Sequence, residues 1–230
     1  MNRRETLTLL LATAAFGGSV TEIQAQARAE RQIKPLPFAP DSLDGISERV
    51  ITSHHQNNYG GAVRRLTAIE SELAELPASA PSFIRKGLKM EELTATNAVI
   101  LHEEYFQTLG GNGRADGTLQ DAIANDFGSL AAWEREFRAI STSLGGGSGW
   151  AILSFNFNDG RLHNYIAFDH TDNVAFGRPV LVNDMFEHSY HMDYGSRAAE
   201  YVDAVMGNVN WKECNRRFEQ AQTAARVLRG

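Results

Sequence analysis

At Gly145-Gly146-Gly147-Ser148-Gly149 the hydrophobic pattern of this 230-residue chain changes period. Upstream, Ile46, Val50, His54, Val63, Leu66, Ile69 and Leu73 fall near helical spacing. Downstream, residues 151–157 and 161–168 alternate apolar with polar. Asn158-Asp159-Gly160 lies between those runs, and Asp-Gly between alternating segments signals a β-hairpin. A chain that switches period in this way needs a helical half followed by a half that contains a sheet.

The helical half reads as two long helices. The first spans 43–75, with Asp41 or Ser42 as its cap and Pro77 and Pro81 after its end. Gly60-Gly61 interrupts it at a cost of about 2 kcal/mol relative to alanine. That pair implies a close helix approach, a kink or a wide turn. The second helix spans 88–109 and is closed by Gly110-Gly111. A short link between them predicts an antiparallel hairpin. Further helices are predicted at 119–126, 129–142, 185–194 and 197–227, with a third short strand at 179–182. The expected class is α+β: an N-terminal antiparallel helical hairpin, then a C-terminal α/β domain with a small three-stranded antiparallel sheet. The boundaries are 28–113 and 114–230. An extended arm opens the first domain, because residues 28–42 contain Pro35, Pro37 and Pro40.

Residues 1–27 read as an address. Arg3-Arg4 precedes an apolar stretch over 7–16, and Ala25-Gln26-Ala27 supplies a small-x-small cleavage site. The paired arginine points to the Tat route; an ordinary secretory signal is the alternative. The expected location is the periplasm or the exterior. Cys214 is the single cysteine, so no intrachain disulfide forms. The net charge of −6 argues against a general nucleic-acid coat, which needs a basic face. No apolar run after the N-terminal segment is long enough to span a bilayer.

Chemistry concentrates on histidine. Asp184 and His188 stand four apart in Asp-Met-Phe-Glu-His and converge on a helix or at a strand-to-helix junction. Carboxylate with imidazole suits Fe, Mn or Zn; a surface ion pair is the alternative. His54 and His102 each follow apolar residues on the two long helices. They are either core histidines or ligands shared across the hairpin. Spacing alone does not bring the four together.

In order and spacing the chain resembles the iron/manganese superoxide dismutases, from Leu36 to about residue 220. The resemblance rests on Leu36-Pro37-Phe38 with Asp41-Ser42-Leu43, and on Ile46-Ser47-Glu48 leading to His54. It continues through His102, Asp126-Phe127-Gly128-Ser129 and Gly147-Ser148-Gly149-Trp150-Ala151. Asp184-Met185-Phe186-Glu187-His188 and Val209-Asn210-Trp211 complete it, with Phe186 where the family has Trp. The resemblance implies one Fe or Mn per subunit on His54, His102, Asp184 and His188. It implies conversion of superoxide to dioxygen and hydrogen peroxide. His170 would hydrogen-bond the metal's solvent, Trp150 would wall the pocket, and Arg197 would guide the anion. It also implies a homodimer, with tetramers known on the same fold. Glu187 would reach the partner's ligand histidine, and His191 would sit at the same interface.

The match departs from the family at the substrate gateway. The usual His and Tyr after the first ligand are Asn58 and Ala62 here. Asn58 with His191 across the interface would replace the usual pair. Tyr59, one helical step from Asn58, is expected to point elsewhere, unless Gly60-Gly61 bends the helix. Phe106 stands for a family Trp, and Tyr190 keeps its aromatic position. These changes motivate two other readings: a non-catalytic metal-binding protein on the same fold, and a peroxidase-like metal enzyme.

Overall fold

The computed structural model describes residues 31–172 and 175–228. The N-terminal address and its cleavage site lie outside those residues. The first helical run has three parts: α1 (Glu48–Ser53), a π-helical segment (His54–Tyr59) and α2 (Gly60–Glu75). The start is later than expected. Ser47, rather than Asp41 or Ser42, is the cap, and its Oγ accepts from the Val50 N–H at 3.2 Å. The glycine pair makes neither a turn nor a break, because Gly60 keeps right-handed helical angles. A Cβ at Gly60 would stand 3.2 Å from Ile33 Cδ1, so the missing side chain makes room for the N-terminal arm.

The hairpin closes with α3 (Ser82–Gln107), which packs along α2. Helices α4 (Gly117–Phe127) and α5 (Leu130–Ser143) follow. Gly128 ends α4 at a φ of 83°, and Ser129 Oγ caps α5 by accepting from Ala132 N at 3.0 Å. The domain boundary read between residues 113 and 114 falls in the connection from α3 to α4.

The sheet contains β1 (Trp150–Asn156), β2 (Arg161–Ala167) and β3 (Gly177–Asp184), in the order β2-β1-β3 and antiparallel throughout. Almost all of β1 is buried on both faces. Pro179 lies on an edge strand beside a register shift, where a missing N–H costs least. Trp150 pairs with both Ala167 and Asp184. The start of β1 and the ends of β2 and β3 therefore meet at one end of the sheet. Helix α3 packs on β3, so hairpin and sheet share one core.

Two expected helices are different. Residues 185–194 form a 3₁₀ turn (Glu187–Ser189) and the single-turn α6 (His191–Tyr194). Asp184 Oδ1 accepts from Phe186 N at 2.9 Å and Ser189 Oγ donates to Asp184 O at 2.8 Å. Those side-chain bonds compete with a regular helix. The segment 197–227 is likewise two helices, α7 (Ala198–Gly207) and α8 (Trp211–Leu228). Buried Asn208 breaks it by bonding both backbone groups of Asp44, at 2.7 and 3.0 Å. A Cβ at Gly111 would come 2.5 Å from Asn210 Cα, so glycine lets the end of α3 rest on this break.

Candidate metal centre

Three chain segments deliver four side chains to one point. The π-helical segment begins with His54, and α3 carries His102 near its C-terminal end. The strand β3 ends at Asp184, and the 3₁₀ turn beyond it holds His188. One potential ligand atom from each lies within 4.8 Å of all the others. Asp184 Oδ2 is 3.0 Å from His54 Nε2, 3.3 Å from His188 Nε2 and 3.7 Å from His102 Nε2. His54 and Asp184 have no exposed surface, and His102 is 2% exposed. The Asp-x-x-x-His pair thus converges at a strand-to-turn junction, one of the two arrangements its spacing allows.

His102 and Asp184 are held in forms that suit a cation. His102 Nδ1 donates to the Ala98 carbonyl at 2.6 Å, which leaves Nε2 with a free lone pair. Asp184 Oδ1 is occupied by Phe186 N, so Oδ2 faces the imidazoles. His102 Nε2 and His188 Nε2 are buried without a hydrogen-bond partner, as is His54 Nδ1. Orphaned buried nitrogens are costly unless something unseen binds them. Burial pushes His102 down to about 3, with repulsion from His54 adding to it. Burial also lowers His54. Burial alone would raise Asp184, but the charges and hydrogen bonds of His188 and His54 outweigh it and hold the carboxyl well below its usual range. Neutral imidazole and ionised carboxylate are the forms a metal requires. Three nitrogens and one oxygen fit Fe or Mn.

A second layer surrounds these four. Trp150 Nε1 donates to His170 Nδ1 at 3.0 Å, which places the His170 proton on Nε2. Asn97 Nδ2 donates to the His170 carbonyl at 2.6 Å. Burial lowers the His170 pKa, which favours the neutral ring. Phe186 stacks on His170 with centroids 4.7 Å apart. Tyr201 Oη donates to the Asp184 carbonyl at 2.9 Å and is 3.0 Å from Tyr105 Oη. Asn97, Tyr105 and Tyr201 were not singled out in the sequence. Tyr105 had a signal, three residues after His102 on the same helix; Tyr201 had none.

An open chamber of about 400 Å³ reaches His102, His170 and His188. Asn58 and Ala62 both line it, as do Arg65 and Thr94. Tyr59 does point elsewhere: it is buried, donates to Glu103 Oε1 at 3.0 Å and accepts from Lys34 N at 3.0 Å. Phe106 is buried beside His54, with ring centroids 4.9 Å apart. Tyr190 is buried and stacks on Tyr201. Arg197 is not among the chamber's lining residues; it is exposed and paired with Glu200 at 3.0 Å. Glu187 and His191 are exposed on either side of the buried Ser189-Tyr190 pair. Cys214 is buried, and burial pushes its thiol up to about 12, so it has no part in this chemistry.

Comparison with known proteins agrees with this geometry. A family model described as iron/manganese superoxide dismutases, C-terminal domain, matches residues 115–217. A protein named superoxide dismutase [Fe] from Cupriavidus metallidurans is 55% identical over 191 residues, which cover 83% of this chain and 97% of that protein. A superoxide dismutase [Mn] 1 from Halobacterium salinarum is 34% identical over 197 residues, covering 84% and 97%. A superoxide dismutase [Fe] from Aquifex aeolicus is 34% identical over 199 residues, covering 83% and 92%.

Proposed function

This chain belongs to the iron/manganese superoxide dismutase family, and we propose that it acts as an exported, homodimeric dismutase with His54, His102, Asp184 and His188 as its metal ligands. The observation that carries the reading is the convergence of four ligand atoms, with His102 Nε2 and Asp184 Oδ2 left free because Nδ1 and Oδ1 are bonded elsewhere. When bound, Fe or Mn supplies a one-electron couple that oxidises one superoxide to dioxygen and reduces a second to hydrogen peroxide, with uptake of two protons.

The chain's own residues supply order and protons. Asp184 Oδ2 contributes the negative charge that faces the three imidazoles. The hydrogen bond from His102 Nδ1 to Ala98 fixes that ring and raises the basicity of Nε2. His170, with its tautomer set by Trp150, offers an Nε2–H donor. Trp150 has no exposed surface and excludes water behind it. Asn58 sits at the chamber, where an amide can orient an incoming anion. Arg197 adds a cation whose effect is on encounter rate.

Export is supported by the charged, apolar and small-x-small order of residues 1–27, with Arg3-Arg4 favouring the Tat route and a periplasmic or secreted product. No helix among the described residues is long and apolar enough to cross a membrane. The homodimer is supported by the exposure of Glu187 and His191 next to the ligand turn. There Glu187 would orient the partner's ligand ring and His191 would meet Asn58.

The test is superoxide decay by pulse radiolysis on protein from residue 28 onward, loaded with Fe or with Mn. Fast decay in proportion to bound metal is expected. Full metal occupancy without turnover in either form would instead favour the non-catalytic metal-binding reading, which the small residue Ala62 at the chamber motivates.

A further inference from the structure

Two consecutive residues of α3 hold two rings that belong to different halves of the chain. The Ala98 carbonyl accepts from His102 Nδ1 at 2.6 Å and so fixes a ligand ring on its own helix. The neighbouring side chain, Asn97 Nδ2, donates to the His170 carbonyl at 2.6 Å. His170 lies on neither helix nor strand; it sits in the connection between β2, which ends at Ala167, and β3, which starts at Gly177. Its other partners hold different parts of it. Asp169 Oδ1 accepts from the His170 N–H, a bond local to the connection. Trp150 and Phe186 hold the ring. The bond from Asn97 ties the backbone of this connection to the helical hairpin.

The identity of residue 97 points to a purpose for the tie. Asparagine is unfavoured in a helix interior, because its amide competes with the backbone. This one lies inside a helix of 26 residues and is 6% exposed. A buried amide is costly without a partner, and the partner here is the His170 carbonyl. Since a carbonyl oxygen only accepts, the group of Asn97 that faces it is the NH₂. Donor and acceptor belong to the same chain, so the bond forms without a second copy.

We propose that Asn97 is a positioning residue for the metal centre: together with Ala98 it refers the His170 ring and the His102 ring to one stretch of α3, and so fixes the spacing of donor and ligand. The two ring centroids stand 6.1 Å apart, with the planes at 47°. Asn97 acts through His170, whose Nε2–H is the donor. The inference rests on the dismutase reading for the use of that donor, and on the two hydrogen bonds alone for the spacing.

The experiment compares the unsubstituted protein with Asn97→Leu and Asn97→Ala. Both variants remove the NH₂ donor, and both new residues favour helix more than asparagine does. Metal-free protein is read first, by heteronuclear NMR of the Trp150 indole N–H and the His102 Nδ1–H. The Trp150 signal is expected to move upfield in both variants, as its bond to His170 Nδ1 lengthens. The His102 signal should stay, because its acceptor is a backbone carbonyl of the helix. Iron-loaded protein is then taken through a redox titration. The ratio of reduced to oxidised iron at a fixed potential is expected to change about tenfold, the lower figure for partners of metal-site groups, which is about 59 mV for a one-electron couple. An unmoved Trp150 signal or an unmoved potential in both variants would overturn the proposal. So would an equal displacement of the His102 signal, which would mean that the substitutions disturb α3 as a whole. Superoxide decay of the unsubstituted protein is measured beside these. Its absence alongside the expected shifts removes the dismutase reading and keeps the role of Asn97; fast decay with unmoved signals does the reverse.

Discussion

The ligand cluster and the chamber that opens onto it are built to opposite rules. In the cluster, His54 and Asp184 have no exposed surface, and hydrogen bonds from or to Ala98 and Phe186 fix which atoms remain free. In the chamber, Gly61, Ala62, Asn58 and Thr94 supply space and amide or hydroxyl groups. The difference teaches where each property resides. Metal retention depends on buried groups whose free atoms converge on one point, and substitution there should be severe. Access depends on side chains with few partners, and substitution there should be graded.

The largest expected effect tests the cluster directly. Asp184→Ala removes the carboxylate that faces three imidazoles, and metal per subunit by mass spectrometry should drop to background. Retention of a full equivalent would break the contrast. Trp150→Phe comes next: it keeps the aromatic volume but deletes the indole N–H that sets the His170 tautomer. A loss of about 10–100-fold in turnover is expected, as for other partners of metal-site groups, with a displaced reduction potential. His170→Gln should likewise move the potential and change which metal gives the higher activity; equal potentials would remove His170 from its role.

The pH dependence of the metal-stripped protein sharpens the same point. His102 titrates near 6.5 when unfolded and at about 3 when folded. Between those values the unfolded chain holds a proton that the folded chain does not. Stability from this group is therefore complete above pH 6.5 and declines as pH falls toward 3. The lowered Asp184 acts in the same direction below the ordinary carboxylate range. A urea midpoint that stays constant from pH 7 to 4 would contradict the assignment. The smallest effect is expected at Arg197. It is exposed and pairs with exposed Glu200, so Arg197→Ala should cost about 0.2–1 kcal/mol or less of stability. Its effect on superoxide decay should shrink as salt is added. A salt-independent loss would place Arg197 in the chemistry itself.

Much of the architecture is legible in local pattern. The change of period at Gly145–Gly149 marks the start of the sheet, and the two alternating runs lie one residue or less from β1 and β2. The four ligand positions emerge from the order of motifs, since spacing alone leaves His54 and His102 as ordinary core histidines. What was hidden depended on side-chain bonds across long separations. Nothing near Asn208 signals that it bonds Asp44 and splits the final helix. The π-helical segment is polar apart from Tyr59, so apolar periodicity does not mark it. Arg217 is buried although arginine ordinarily lies at the surface, and it pairs with Glu104 and Glu213 and ties α8 to α3 near His102. The chamber's size was invisible because a cavity is defined by what several elements leave empty.

The most direct measurement is anomalous X-ray scattering from crystals of the metal-loaded protein, collected on both sides of the Fe or Mn absorption edge. A single peak among His54 Nε2, His102 Nε2, Asp184 Oδ2 and His188 Nε2 is expected. A peak bonded to other residues, or none in a protein that consumes superoxide, would contradict the account.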